Sequence, residues 1–352
     1  MRFLKRAPPA HARAYSEYMP RHSPLAALLR RYGIADVLGF RPLDEGLLNR
    51  SFAVRTSTGP LFLKHYLDQD PHTIRAQHAA TAALAARGLP AVAPLGDLSG
   101  RTVSSSRNRL FALFPWVDGE HRPGLTLEPG QCGEIGALLG RMHRALAGIL
   151  GPVPQPLLQP ANDVEQARAK ALSLLALLRA RPVREGIDDL AEFRLVERLA
   201  LLGRLAHRRP AEEKARLTVG HVHGDFHGLN VFHRADGTVG AVVDWDRLGV
   251  QPYAEELVRS ALIYFVDPHD GRLDLARVRE YVHGYLSTRP WMADELPDAV
   301  HRLWWERLTD FWMLTWRYER QDARTDEQFP AASALVLWWT HHYEKVLDAF
   351  CG

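Results

Sequence analysis

The stretch VHGDFHGLN, residues 222–230, places two histidines, a carboxylate and an amide within nine positions. Three readings compete for His223, Asp225, His227 and Asn230: a metal site, a catalytic loop, or a polar turn that satisfies its own backbone. His223 and His227 are four apart, as on a zinc-binding helix. The H-E-x-x-H pattern needs Glu after the first His, and Gly224 stands there instead. Gly224 and Gly228 also disfavour a helix. Working outward, LTVGHVH (217–223) alternates and reads as a strand ending at the loop. Asn230–His233 begins another strand, and Asp236-Gly237 is the strongest of hairpin dipeptides. Residues 238–243 then return as an apolar strand ending in Asp244-Trp245-Asp246. The hairpin carries Asp244 back toward Asp225 and Asn230. Carboxylates and an amide oxygen converging on one point suit a hard cation, Mg²⁺ above all. Without a cation their like charges are costly.

Composition bounds what else the chain can be. Its 352 residues suit two lobes or domains, and 46% hydrophobic content allows a full core. A net charge of +3, with no Lys/Arg block interleaved with aromatics, gives no footprint for nucleic acid. Cys132 and Cys351 are the only cysteines, which is neither a disulfide framework nor a zinc pattern and makes a reducing cytoplasm the default. No apolar run approaches the ~18 residues that span a bilayer. The basic start has no acid before Glu17 and lacks the apolar segment of a secretory signal, so residues 1–22 read as a mobile tail or, alternatively, a short targeting arm. Only five of the 44 basic residues are lysines, so a Lys in a buried-looking strand invites a specific reason.

Along the chain, Ser23 and Pro24 open a helix that Gly33 ends. NRSFAVRT (49–56) and PLFLKHY (60–66) form a hairpin about Ser57–Gly59. A helix spans 70–88, and another hairpin is expected within 93–117, with turns at Ser99-Gly100 and around Asn108. PWVDGEHRPG (115–124) reads as a connector. Beyond it helices dominate, near 130–150, 163–181 and 187–206, and again through the Trp-rich last hundred residues. Strands first and helices after, around a short connector, predict an α+β chain of two lobes, 23–115 and 116–352.

Asp225 and Asn230 are five apart, the D-x-x-x-x-N spacing of a kinase catalytic loop. There the Asp accepts the proton of the attacking hydroxyl, the Asn gives its amide oxygen to a metal, and a later Asp completes the metal site. His223-Gly224-Asp225-Phe226-His227-x-x-Asn230, followed by Val243-Asp244-Trp245-Asp246, resembles the aminoglycoside phosphotransferase, choline kinase and homoserine kinase group. The resemblance covers about residues 40–265. It implies a protein-kinase-like fold with a small β-rich N-lobe and a larger helical C-lobe. It also implies ATP and Mg²⁺ as cofactors and a small-molecule acceptor, with neither nucleic acid nor membrane as partner.

On that resemblance Asp225 is the base or hydroxyl orienter, Asn230 and Asp244 are metal ligands, and Asp246 is a ligand or turn cap. Lys64, on the second strand of the hairpin, would grip the phosphates as a compact point charge. The turn Glu45–Ser51 resembles the group's phosphate loop, with Gly46 for close backbone approach and Asn49 or Ser51 as donors. Phe114 and Trp116 sit in a stretch like the hinge that holds adenine. His143 and His223 would brace the loop, Glu256 sits at the usual acidic helix start, and His227 would touch phosphate or metal-bound water. One departure stands out: the acid that kinases pair with the strand Lys is missing from the helix after it, and Gln77 occupies its place. That leaves open a pseudokinase that binds nucleotide without turnover. A Ser/Thr protein kinase of the same fold is the other alternative, although no A-P-E activation signature appears. For the acceptor, Glu306 and Asp310 among Trp304, Trp305, Trp312, Trp316, Trp338 and Trp339 suggest a pocket for an amine-bearing or polyhydroxyl molecule.

Overall fold

The computed structural model describes residues 24–43, 49–155, 160–211 and 217–352. The tail, Ser23 and the turn residue Gly46 lie outside them. After a short helix α1 (Pro24–Arg30), the N-terminal part is an antiparallel sheet of five strands in the order β1-β2-β3-β5-β4. These are β1 (Val37–Leu43), β2 (Arg50–Thr56), β3 (Gly59–Tyr66), β4 (Ser104–Ser106) and β5 (Arg109–Pro115). The alternation read in 49–66 matches the β2–β3 hairpin, whose register sets Lys64 opposite Ser51. On its other side Lys64 faces Ala112 of β5. Helix α2 (Pro71–Ala86) crosses this sheet, and the Asp70 carboxylate caps it by accepting from the His72 and Thr73 amides.

The stretch before β4 departs from the expected hairpin. Only Leu95 forms a bridge to Leu113 there, while β4 and β5 turn through Arg107-Asn108, both at positive φ. The reason is local: the Asp97 carboxylate accepts from the Ser99 and Arg101 amides and folds 97–101 into its own polar turn.

Helices make up most of the second part: α3 (Gln131–Leu150), α4 (Val164–Arg179), α5 (Gly186–Leu205), α6 (Tyr253–Phe265), α7 (Leu275–Thr288), α8 (Leu296–Thr309), α9 (Trp312–Glu319), α10 (Phe329–His341) and α11 (Tyr343–Cys351). Helix α3 forms despite its glycines because they are its packing surface. A Cβ at Gly136 would collide with the Tyr281 carbonyl of α7, and one at Gly284 of α7 would collide with the Gly133 backbone. Close contact between the two helices offsets the ~1 kcal/mol that each interior Gly costs. Trp304, Trp305 and Trp339 are fully buried in the core of this lobe. The chain is thus α+β, a small sheet-based N-lobe on a larger helical C-lobe, with the protein-kinase-like fold. None of the described helices is long and apolar enough to cross a membrane.

Two small antiparallel pairs lie between α5 and α6: β6 (Val219–Val222) with β9 (Gly249–Pro252), and β7 (Val231–His233) with β8 (Val239–Val242). The 222–230 loop leaves β6 and enters β7, and Asp244–Asp246 leaves β8 toward β9. Both segments therefore emerge from the same small scaffold.

Candidate active site

The β7–β8 hairpin brings the two motifs into contact. The Val243 amide donates to the Asn230 carbonyl at 2.9 Å. The His223 ring donates from Nε2 to the Val243 carbonyl at 3.0 Å, while its Nδ1 accepts the Asp225 amide at 3.2 Å. This pair of bonds fixes a neutral imidazole, and burial pushes His223 below its usual range. His223 is a brace between the two loops.

Beneath it lies Glu256 of α6, 2% exposed. One of its oxygens accepts the His223 amide at 3.2 Å and the His143 Nε2–H at 2.6 Å; the other accepts the Gly224 amide. Burial opposes the Glu256 charge, but the His143 hydrogen bond outweighs it and holds the carboxyl below its usual range. The Tyr285 hydroxyl, 2.9 Å away, completes the other nitrogen of His143. The loop is thus held from below by a buried carboxylate, itself held by helices α3 and α7.

On this base Asp225 presents a half-buried carboxylate. Its Oδ2 lies 3.4 Å from His227 Nε2 and its Oδ1 lies 3.4 Å from an Arg259 guanidinium nitrogen. Burial raises the carboxyl, but His227, Arg259 and Arg247 outweigh it and hold it at about 2. Asp225 is therefore ionised at neutral pH. Asn230 donates its side-chain NH₂ to the Asp225 carbonyl at 2.8 Å, which leaves Oδ1 as the atom available to a cation.

Asp244 adopts the left-handed conformation (φ 61°, ψ 60°), a region that Asp tolerates better than most residues. Lys64, buried in the sheet, reaches across from the other lobe to both acids, 2.7 Å from Asp244 and 2.5 Å from Asp246. Burial opposes the Asp244 charge and Lys64 outweighs it, so that carboxyl is held down. Asp246, the more buried of the two, is pushed up by burial and by its neighbour Asp244. Asn49 donates to Asp246 Oδ2 at 2.5 Å and accepts the Leu67 amide at 3.1 Å.

Gln77 does not meet Lys64. Its amide donates to the Asp246 backbone carbonyl at 2.8 Å, and Gln69 donates to the same oxygen at 2.7 Å. In the place of the acid that kinases carry on this helix, Gln77, together with Gln69 just before the helix, holds the backbone of the acidic turn.

The remaining predicted residues fall into place less closely. Ser51 stands across the strand pair from Lys64. Phe114 packs edge-on against Phe62, 6.1 Å between rings, on the strand that ends at Pro115, and Trp116 is half-buried just beyond it. Glu306 is exposed on α8. Asp310 lines a crevice with Arg194, Arg198 and Arg307, where its Oδ1 accepts the Trp312 amide at 3.0 Å; no catalytic-loop residue lines that crevice. Of the tryptophans offered for a pocket, Trp304, Trp305 and Trp339 are core, while Trp312 and Trp316 form a half-buried edge-to-face pair.

Sequence reading missed Arg259, Arg247 and Gln69. Arg259 had a signal, since it lies one turn after Glu256 on α6 and so on the same helix face. Arg247 directly follows Asp246.

Two lobes meeting at a D-x-x-x-x-N loop, a strand lysine and an acidic turn define a kinase-type phosphotransferase. The chain belongs to the phosphotransferase enzyme family, whose model matches residues 39–292, and it is a small-molecule kinase. A homoserine kinase of Burkholderia cenocepacia is 28% identical over 316 residues, covering 83% of this chain and 86% of that protein. Among solved structures, a spectinomycin phosphotransferase complexed with ADP and spectinomycin shares the fold with a TM-score of 0.59 at 14% identity, covering 92% of this chain and 95% of the other. A microcompartment-associated aminopropanol kinase gives a TM-score of 0.58 at 19% identity, with 92% and 98% covered.

Proposed function

We propose that this chain transfers the γ-phosphate of Mg·ATP to a hydroxyl of a small amine-bearing acceptor, with homoserine the first candidate. The observation that carries this reading is the arrangement of Asp225, Asn230 and Asp244 on one hydrogen-bonded scaffold. The donor set fits Mg²⁺. Two carboxylates and an amide oxygen are hard ligands, and one lysine leaves the pair of acids with net negative charge. Among the described residues no three His, Cys, Asp or Glu form a ready-made cage. Mg²⁺ is commonly held by one or two carboxylates plus substrate phosphates. Asn230, Asp244 and Asp246 would hold it, and when bound it neutralises charge on the phosphates.

Asp225 orients the acceptor hydroxyl. The hydroxyl oxygen bonds to phosphorus as the bond to ADP breaks, and its proton passes to the Asp225 carboxylate. Held at about 2, Asp225 is a weak base, so it takes the proton late, when the oxygen has become acidic by bonding to phosphorus. Lys64 supplies positive charge to the phosphates from the N-lobe. Catalysis is positioning and charge neutralisation, and no covalent enzyme intermediate is needed. The homoserine kinases, matched over most of both chains, support an amino-alcohol acceptor.

The test is Mg-dependent ATP consumption across homoserine, 3-aminopropan-1-ol, choline, aminoglycosides and sugars, with a generic protein alongside. Turnover on at least one small amine-bearing alcohol is expected. Phosphorylation of the protein alone, or no acceptor-dependent consumption, refutes the reading.

A further inference from the structure

The two oxygens of Asp225 face different surroundings. Oδ2 points to His227, whose Nε2 also lies 3.4 Å from the amide of Asn230, so this is the side of the metal ligands. Oδ1 points to Arg259 on α6, the helix that floors the loop. With the metal ligands gathered on the Oδ2 side, Oδ1 is the oxygen left to meet an acceptor hydroxyl.

That side is basic. Arg259 is mostly buried and spends one nitrogen on the Gly224 carbonyl. Arg247 also abuts Gly224, through its own carbonyl and Cβ, and its side chain is exposed. Among the described residues no carboxylate pairs with the Arg247 guanidinium, and its charge acts on Asp225. The Arg259 guanidinium and the Arg247 backbone thus both meet Gly224, the residue before the catalytic carboxylate. Guanidinium groups match carboxylates with paired, charge-assisted hydrogen bonds. The same charges repel a polycation. The acids that would welcome one lie elsewhere: Asp310 in its arginine-lined crevice and Glu306 exposed on α8.

We propose that Arg247 and Arg259 form a carboxylate-recognising subsite beside Asp225, so that the acceptor is a small hydroxy acid or hydroxy amino acid. This deepens the proposed function and rests on its placement of the acceptor at Asp225. A terminal phosphate is an anion as well, and the experiment separates it from an acceptor carboxylate.

Calorimetry with Mg²⁺ and a non-hydrolysable ATP analogue would compare L-homoserine, L-serine and L-threonine with the matching amino alcohols that lack the carboxylate. The carboxylated member of at least one pair should bind tenfold or more tighter, the equivalent of about 1.4 kcal/mol. Arg247→Ala should bring that ratio near one without weakening the nucleotide analogue or the amino alcohol. Arg247→Lys should restore part of it. Arg259→Gln, checked for folding by circular dichroism, should act in the same direction. Equal binding within every pair overturns the subsite. So does an Arg247→Ala variant that weakens the nucleotide and leaves the carboxylate preference intact, which assigns the arginine to phosphate. Carboxylate-dependent binding without ATP consumption on any acceptor leaves the subsite standing and defeats the proposed function. Consumption on amino alcohols with no carboxylate preference does the reverse.

Discussion

Replacing Glu256 with Gln tests the foundation of the site rather than its chemistry. In the native loop one carboxylate oxygen takes the His223 amide and the His143 N–H, and the other takes the Gly224 amide. Glutamine offers only one acceptor oxygen. Its NH₂ faces either the Gly224 amide or the other two donors, and in each orientation at least one buried donor is left without a partner. An unsatisfied buried donor costs ~1–3 kcal/mol, and each of the two surviving bonds loses the ~1 kcal/mol that charge assistance adds. The sum, ~3–5 kcal/mol, matches the usual cost of disabling one member of a buried charged cluster. Urea unfolding should show a loss of that size with an unchanged slope. Glu256→Asp, shorter by a methylene, should also lose stability because it cannot reach all three donors. At temperatures where Glu256→Gln remains folded, kcat should fall more than KM for ATP rises, because the donors lost orient Asp225 and not the phosphates. A variant within ~0.5 kcal/mol of the wild type with full kcat would show that Glu256 does not hold the loop.

Asp225→Asn should cut turnover by roughly 10²–10⁴-fold while leaving nucleotide affinity near the wild-type value, as measured by steady-state kinetics and calorimetry. Asp244→Ala should abolish Mg²⁺-dependent turnover and weaken Mg·ATP binding; unchanged affinity counts against its role as ligand. Lys64→Ala should raise KM for ATP, and Lys64→Arg should not fully rescue it, since a planar fork does not replace a point charge. Burial lowers His78, His143 and His223, the first to about 4, so the fold holds these imidazoles neutral. Their stabilisation is full above the ordinary imidazole range near 6.5 and is lost as pH falls toward 4, with His78 alone accounting for ~3 kcal/mol. Thermal melts should therefore drop across that window in the wild type and less steeply in His78→Gln.

Local spacing carried much of this arrangement and distance hid the rest. The 222–246 segment was legible because a strand, a tight turn and a returning strand determine their own geometry within twenty-five residues. Lys64 was legible from strand alternation and from the scarcity of lysine. The bonds from Gln69 and Gln77 to Asp246 were not, because they join residues 177 and 169 positions apart and end on a backbone carbonyl that no side-chain pattern reveals. The tryptophans illustrate a different limit. An apolar stripe reads alike whether it faces a core or a pocket, and only packing buried Trp304, Trp305 and Trp339. The polar turn at Asp97 likewise overrode strand-like alternation with local hydrogen bonds.

The paired amides on the Asp246 carbonyl have a consequence for how this molecule responds to its surroundings. A glutamate on helix α2 would couple that helix to the cleft by Coulomb attraction, which weakens as ionic strength rises and vanishes on protonation. Gln69 and Gln77 carry no charge for salt to screen and no proton to gain in the physiological range. At this contact helix α2 is tied to the acidic turn by a link indifferent to electrolyte and acidity alike.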